Sequence, residues 1–490
     1  MQFRGRTVAL MVIVSIVLSS AATAAVVKDG GIWDRLTGAP ALWLNGDFSA
    51  AVQGDVDGFE KLKTAYAVIK SQYVRGANDK KLIDGAIQGM VDSLGDPYSA
   101  YMDPTTAKQF ESTLESSFQG IGAEVTMRNG KVTIVSPFKD SPAEKAGLRP
   151  NDQVIKVNGV SLEGMSLNEA VMKIRGPKGT IAKLEVIRPG YSGVLHINVK
   201  RDNIPIKTVE SKMMPQQIGY IQITQFSNDT AKDFGNQLKQ LESKGIKGLV
   251  IDVRGNPGGL LPAVLDIADQ LVPGGKNVLV TQDKAGNKVV YKSKLQGKKS
   301  YPITVLIDKG SASASEILAA ALKESAGAQV VGEKSFGKGT VQTVKDFDDG
   351  SNLKLTVAKW LTPGGTWIDQ HGGTAGIQPT IPVKSPEYAQ ATPPSPGQTL
   401  KRDMNSSAVR NLQMVLDGLG FNPGRKDGYF DQKTELAVKA FQKTEGLPMT
   451  GVVDDKTAAK MQDVFIAMLR DPANDVQLQV AIEATKKKIH

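Results

Sequence analysis

The run Lys309–Glu324 reads KGSASASEILAAALKE, with Ser311, Ser313 and Ser315 alternating with alanines ahead of an Ala/Leu-rich segment of helical character. Two chemistries fit these serines. Ser313-Ala-Ser-Glu316 has the form of a capping box, in which the serine accepts from a first-turn N–H and the glutamate reaches back to the cap. A side chain there also sits beside unpaired N–H groups and the positive end of the helix dipole. Those donors can stabilise the oxyanion that forms when a hydroxyl attacks a carbonyl. Cap and nucleophile are therefore compatible roles, and the question turns on a base.

The available bases are few. The chain has no cysteine, which excludes a thiol nucleophile, a disulfide and Cys-ligated zinc. Its three histidines are His196 in a β-type stretch, His490 at the end, and His371 in a Gly-rich loop, the one position from which an imidazole base is conceivable. There is no HExxH, which excludes a zincin, and no aspartic-dyad signature. A lysine base remains, and it needs an apolar, dehydrated setting to shed its proton near neutrality. GEKSFGKGTVQ offers Lys338 between Gly337 and Gly339, with Phe336 and Val341 close by. Gln342, four residues on, is placed to orient the lysine, a spacing of one helical turn or a tight loop. A lone lysine in a glycine loop is otherwise an ordinary surface residue. In VIDVRGNPGGLLPAV, a strand–turn–helix pattern, Gly258 or Gly259 offers a backbone N–H to an oxyanion, with the Ala314 N–H as the second donor.

Several elements must position these residues. At 490 residues the chain holds two to four domains, and 40% hydrophobic with 22% charged residues is a soluble composition. Residues 1–27 carry Arg4 and Arg6, then an uncharged run from Thr7 to Val27. This reads as a secretory signal ending in Ala22-Thr23-Ala24 or as an uncleaved signal anchor, with the remainder outside the cytoplasm. Residues 28–58 read as a flexible lead and 59–116 as helical. Residues 117–204 read as a mostly β module, with a hairpin at Asn129-Gly130 and one helix at LNEAVMKIRG. Residues 205–384 alternate strands and helices, a layered α/β core. A Pro/Ser-rich linker at 385–401 leads to a small helical domain at 402–470. Residues 471–490 read as a basic, exposed C-terminal helix. The net charge of +10 fits an ordinary solvated surface or attraction to an anionic one such as lipid head groups or cell-wall polymers. Nucleic acid is excluded, since no Lys/Arg run is interleaved with aromatics.

GMVDSLGDPYSAYMDP, FQGIGAEV, SPAEKAGLRPNDQVIKVNGV, DVRGNPGG, GSASASEI and GEKSFGKGTVQ occur in that order. From about Leu62 to Val383 the chain thereby resembles the carboxy-terminal processing proteases, serine peptidases with a Ser-Lys-Gln site. The resemblance implies Ser313 as nucleophile, Lys338 as general base, Gln342 as the residue that positions the lysine, and Gly258 (or Gly259) with Ala314 as oxyanion donors. It also implies an inserted PDZ domain and neither metal nor other cofactor. There, Gly120, Ile121 and Gly122 hold a C-terminal carboxylate while the peptide adds as a β-strand, and Arg175 couples this domain to the peptidase. The tail, with DGYFDQKT, AVKAFQ and GLPMTGVVDDKT, resembles a peptidoglycan-binding domain. The expected fold is multidomain α/β: a layered α/β peptidase core with an inserted mostly-β PDZ domain, an N-terminal helical region and a small C-terminal helical domain. Expected partners are proteins with accessible apolar C-termini, cell-wall peptidoglycan and, through the helical arms, a second copy of the chain. The alternative is a non-catalytic, wall-anchored PDZ scaffold. A peptidoglycan hydrolase would rest on the tail alone, without a pair of carboxylates in a suitable context.

Overall fold

The computed structural model describes residues 56–128 and 130–489, so the N-terminal apolar run and nearly all of the 28–58 lead lie outside the described residues. Among the described residues, no helix is long and apolar enough to cross a membrane. The chain divides into two units. One comprises the residues up to Ser116, Lys207–Pro382 and Ala481–His490. The other comprises Ser117–Ile206 and Val383–Val480.

The first unit opens with helices α1 (Val56–Gln72) and α2 (Asp79–Asp92). The Asn78 side chain caps α2 by accepting the Lys81 N–H. A short strand β1 (Ala100–Met102) and helix α3 (Pro104–Leu114) follow. Pro104 fits the first turn of α3, and Asp103 accepts the Thr105 and Thr106 N–H groups.

The second unit begins with β2 (Ser117–Gly120), β3 (Ala123–Arg128) and β4 (Lys131–Pro137). β3 and β4 pair antiparallel with Arg128 opposite Lys131, the two-residue hairpin expected from the sequence, although Asn129 itself lies outside the described residues. Then come α4 (Pro142–Lys145), β5 (Gln153–Val157), β6 (Val160–Ser161), α5 (Leu167–Ile174), β7 (Ile181–Ile187), β8 (Leu195–Lys200) and β9 (Asp202–Pro205). The main sheet runs β3-β4-β5-β7-β8, which leaves β3 at an edge, while β2 pairs with β9. Its core gathers Ile121, Ile134, Val154, Leu184, Val186 and Val199.

The chain returns to the first unit with β10 (Val209–Met214), β11 (Ile218–Ile223), α6 (Thr230–Ser243), β12 (Gly248–Asp252) and α7 (Leu261–Ala268). These lead to β13 (Asn277–Asp283), β14 (Lys288–Lys292), β15 (Ile303–Ile307), α8 (Ala314–Ser325) and β16 (Gln329–Gly332). β17 (Thr340–Asp346), β18 (Asn352–Leu361) and β19 (Ile381–Pro382) complete it. One sheet has the order β10-β11-β12-β15-β16-β19, parallel from β11 onward. GLVID of β12 and ITVLI of β15 are buried at every residue, as strands covered on both faces must be. The second sheet runs β1-β18-β13-β14, with β17 also on β18. Helix α8 touches β15 and β16 of the first sheet and β13 of the second. A helix held between two sheets must be apolar all round, which accounts for its Ala/Leu composition.

The second unit closes with α9 (Ser407–Gly418), α10 (Gln432–Thr444) and α11 (Asp455–Arg470), whose Leu412, Leu416, Phe441 and Phe465 form one core with Phe430 ahead of α10. Part of the Pro/Ser-rich stretch packs here: Ala391 is buried, and Leu400 bridges to Val453. The last helix, α12 (Val476–Lys486), departs from the expected exposed tail. Leu478, Ala481, Ile482, Ala484 and Thr485 are buried, and the Thr485 hydroxyl donates to Thr304 Oγ1 on β15 at 2.7 Å. The basic residues at its end thus close a helix with a buried side, which reaches β15 through Thr485.

Candidate active site

The three serines have different environments. Ser311 and Ser315 are wholly buried, and their hydroxyls donate to the Val253 and Asn256 carbonyls at 2.8 and 2.9 Å. They fasten the start of α8 to the loop after β12. Ser313 keeps 9% of its surface and stands just before α8 with φ +53°. A non-glycine residue at positive φ is strained, and such strain persists where the surroundings hold it. Asn256 anchors the turn further, because its carbonyl also accepts the Ala312 N–H.

Lys338, the candidate base, is fully buried. The glycines beside it are required by close packing. A Cβ on Gly339 would lie 2.0 Å from the Ile368 carbonyl oxygen, and one on Gly337, at φ +90°, 2.9 Å from the Gly376 nitrogen. Indole N–H groups of Trp360 and Trp367 donate to the Lys338 and Gly339 carbonyls, and the Gly339 N–H donates to Asp369. Gln342 lies on β17 after a bulge between Val341 and Gln342, rather than on a helical turn. Its amide nitrogen donates to Thr340 and Thr356 hydroxyls at 2.9 and 3.0 Å, which fixes the side chain.

Glu316 joins the two halves. Its Oε2 accepts both the Ser313 and the Lys338 N–H at 2.9 Å, and its Oε1 accepts the Gly337 N–H and the Ser335 hydroxyl. The capping carboxylate read from sequence thus also clamps the lysine loop, a role that no local pattern could show. Burial pushes the Glu316 carboxyl up, while its four donors pull the other way.

Burial is the main force on Lys338 and, with the nearby Lys354 cation, brings it down to about 7; Glu316 and Asp96 oppose the shift. The Lys338 ammonium nitrogen lies 4.8 Å from the centre of the Tyr98 ring. Burial raises Tyr98 itself to about 12, so the phenol stays neutral. Asp96, Tyr98, Asn256, Glu316 in its second role, Lys354, Trp360 and Asp369 were not singled out from sequence as site residues. Asp96 and Tyr98 lie in GDPYSAY, so that motif brings side chains to the lysine besides ending a helical region.

Gly258 packs against Ser313: a Cβ there would meet Ser313 Cβ at 3.0 Å and the Ala314 nitrogen at 3.1 Å. Its N–H donates to Asn256 Oδ1 at 2.8 Å. Among the described residues, the Gly259 and Ala314 N–H groups have no hydrogen-bond partner.

In the other unit, Gly120 ends β2, and Ile121 and Gly122 form the link to β3. The Ile121 side chain enters the core. Gly122 has φ +77°, and a Cβ there would fall 2.6 Å from Ser141 Cβ. Among the described residues, the Ile121 and Gly122 N–H groups have no partner. Arg175 ends α5 with its guanidinium 4.6 Å from the Phe118 ring centre, beside the same loop. Burial lowers its pKa.

Comparison with known proteins agrees with this organisation. Residues 217–383 match peptidase family S41, and 45–106 match the activating protease CtpB N-terminal domain. Residues 133–188 match a PDZ domain and 405–461 a peptidoglycan binding domain. The carboxy-terminal processing protease CtpB of Bacillus subtilis (strain 168) is 50% identical over 428 residues, 87% of this chain and 88% of that protein. CtpA of the same organism is 46% identical over 431 residues, 88% of this chain and 91% of that protein.

Proposed function

The chain belongs to the carboxy-terminal processing proteases of peptidase family S41, and from that premise we propose that Ser313 is its nucleophile, Lys338 its general base and Gln342 the residue that positions the lysine. It is a serine-type peptidase with a PDZ domain, and the non-catalytic scaffold is set aside. The observation that carries the site assignment is a wholly buried lysine, brought to about 7, whose backbone shares one carboxylate oxygen with the strained serine.

The chemistry follows from that state. Neutral Lys338 takes the Ser313 hydroxyl proton as Oγ bonds to the scissile carbonyl carbon. The negative charge that develops on the carbonyl oxygen is met by the Ala314 N–H and by a glycine N–H of the Gly258-Gly259 turn. Gly258 serves only after exchanging its bond to Asn256, whereas Gly259 has no partner among the described residues to give up. The Lys338 ammonium then passes its proton to the leaving amine as the C–N bond breaks, leaving an acyl ester on Ser313. Water, deprotonated by Lys338, cleaves that ester and restores both residues.

Substrate enters by its C-terminus. The edge position of β3 and the unpartnered N–H groups of Ile121 and Gly122 support strand addition with the carboxylate on the Gly120–Gly122 loop. Arg175, stacked on Phe118 beside that loop, is the residue through which occupancy is signalled to the peptidase. Location outside the cytoplasm, through the N-terminal segment as signal or anchor and through cell-wall peptidoglycan, is supported by the peptidoglycan binding match. A homodimer is supported by the apolar Phe59, Leu62, Ile69, Ile83 and Met90 exposed on α1 and α2.

Residues 28–490, unchanged and as Ser313→Ala, incubated with a natively unfolded protein at neutral and mildly alkaline pH, test the assignment. Cleavage by the unchanged chain alone is expected. Equal cleavage by both would remove Ser313 from the mechanism.

A further inference from the structure

Lys338 is not the only buried lysine. Lys354, on β18, is 1% exposed, and the two are among the largest wholly buried side chains. The strand register relates them. Lys354 stands opposite Val344 on β17 and Ala100 on β1, while Gln342 stands opposite Thr356. Lys354 and Thr356 are two residues apart and so project from the same face of β18. That face carries the hydroxyl that holds Gln342. Phe110 of α3 covers Lys354 Nζ at 5.3 Å, much as Tyr98 covers Lys338 Nζ at 4.8 Å.

An aliphatic side chain would fill this position without the cost of burying an ammonium, so fold stability alone does not account for a lysine. Its neighbours give a reason. The charged groups that act on Lys338 are Glu316 from α8, Asp96 from the loop before β1, and Lys354; Tyr98 lies against its ammonium, and Asp369, from the loop after β18, acts on Tyr98 and accepts the Gly339 N–H. Around Lys354 the opposing charge is Asp96, which also acts on Lys338. Asp96 is pushed up by burial but held below its ordinary value by hydrogen bonds from Ser99, Thr356 and the Tyr98 N–H. Two carboxylates therefore favour a proton on the base, and one buried cation opposes them.

We propose that Lys354 is a positioning residue acting through Lys338: its buried ammonium, on the face of β18 that holds Gln342, repels a proton from Lys338 Nζ and keeps the base in the form that accepts the Ser313 proton. Burial lowers both lysines, Lys338 to about 7 and Lys354 to about 8. The inference rests on the Ser313–Lys338 assignment and adds a residue to it.

The test is the pH dependence of cleavage by the full chain as Lys354→Met and Lys354→Arg, with Ser313→Ala as control. Loss of the cation raises the proton affinity of Lys338. The acid limb of Lys354→Met is expected to move up by about one pH unit, with a roughly tenfold lower rate at pH 7 that recovers on the alkaline side. Lys354→Arg keeps the charge and is expected to keep the limb in place. A limb that stays put in Lys354→Met, whatever happens to the maximal rate, overturns the proposal and leaves Lys354 a packing residue. Cleavage by Ser313→Ala would instead overturn the underlying assignment. Should Lys354→Met fail to fold, the unchanged chain with 13C-labelled lysine decides by NMR titration. Lys354 must remain charged at the pH where Lys338 loses its proton, and the reverse order refutes the role.

Discussion

Replacing Lys338 by methionine removes the proposed base and, if the lysine is held neutral by burial, also stabilises the fold in a pH-dependent way. In the unfolded chain this lysine keeps its proton up to its ordinary value of 10.5, whereas in the folded chain it gives it up at about 7. Between those limits the unfolded state binds more protons, so the unchanged protein gains stability as pH rises, by about 1.4 kcal/mol per pH unit for one group. At pH 7 the mismatch amounts to about 4 kcal/mol as an order of magnitude. Methionine has similar length and no proton to lose, and it forfeits polar contacts of about 1–3 kcal/mol. The variant is therefore expected to be inactive yet about 1–3 kcal/mol more stable at pH 7, with the advantage shrinking toward pH 9. Lys354 titrates in both proteins and cancels to first order. Denaturant unfolding at pH 7, 8 and 9, followed by tryptophan fluorescence, reads this locally. Trp360 and Trp367 are the tryptophans among the described residues, and the Trp360 indole donates to the Lys338 carbonyl. A stability difference that stays constant from pH 7 to 9 would mean that Lys338 keeps its proton in the folded protein, and the argument for it as base would fall.

Two other outcomes follow from packing. Gly258→Ala sets a Cβ 2.9 Å from the Ala312 carbonyl oxygen and 3.0 Å from Ser313 Cβ, at φ +108°. Initial-rate measurements should show at least a roughly hundredfold loss, with about 1–3 kcal/mol of stability lost in unfolding experiments; near-full activity would refute the close approach. Removing residues 481–490 strips Ala481, Ile482, Ala484 and Thr485 from the first unit. About 3–5 kcal/mol of its stability should go with them, read as a lower tryptophan-detected midpoint, whereas an unchanged midpoint would show that the segment does not pack there.

The parts of the site that sequence made legible are those that chemistry forces into local patterns. Serine at a helix start, glycines flanking a lysine and a strand–turn–helix with paired glycines each announce themselves. The environment of the lysine does not. In NLKLTVAKW of β18 the alternation assigns Leu353, Leu355 and Val357 to the core and Lys354 to solvent. The structure does the reverse: Asn352 and Lys354 are buried, and the three apolar residues only partly so. A pattern rule supposes that polar faces seek water, and a strand that buries a lysine beside the candidate site breaks that supposition. Glu316 was read as far as its own helix, because its other partners, Gly337 and Lys338, are about twenty residues away in sequence. The closing helix hides for a similar reason: its three terminal lysines dominate the sequence, while the Thr304 hydroxyl that Thr485 meets on β15 lies 181 residues away.

That helix changes what kind of attachment the small helical domain has. Both the segment before it and the segment after it lead to the first unit, at Pro382 and from Ala481 on. In mechanical language it is a loop clamped at two ends and not a weight on a string. A pull on the domain is shared by two lengths of chain, one of which ends in a buried helix. One proteolytic cut in residues 385–401 would leave the domain joined covalently to α12, and so still carried by the enzyme through non-covalent packing alone.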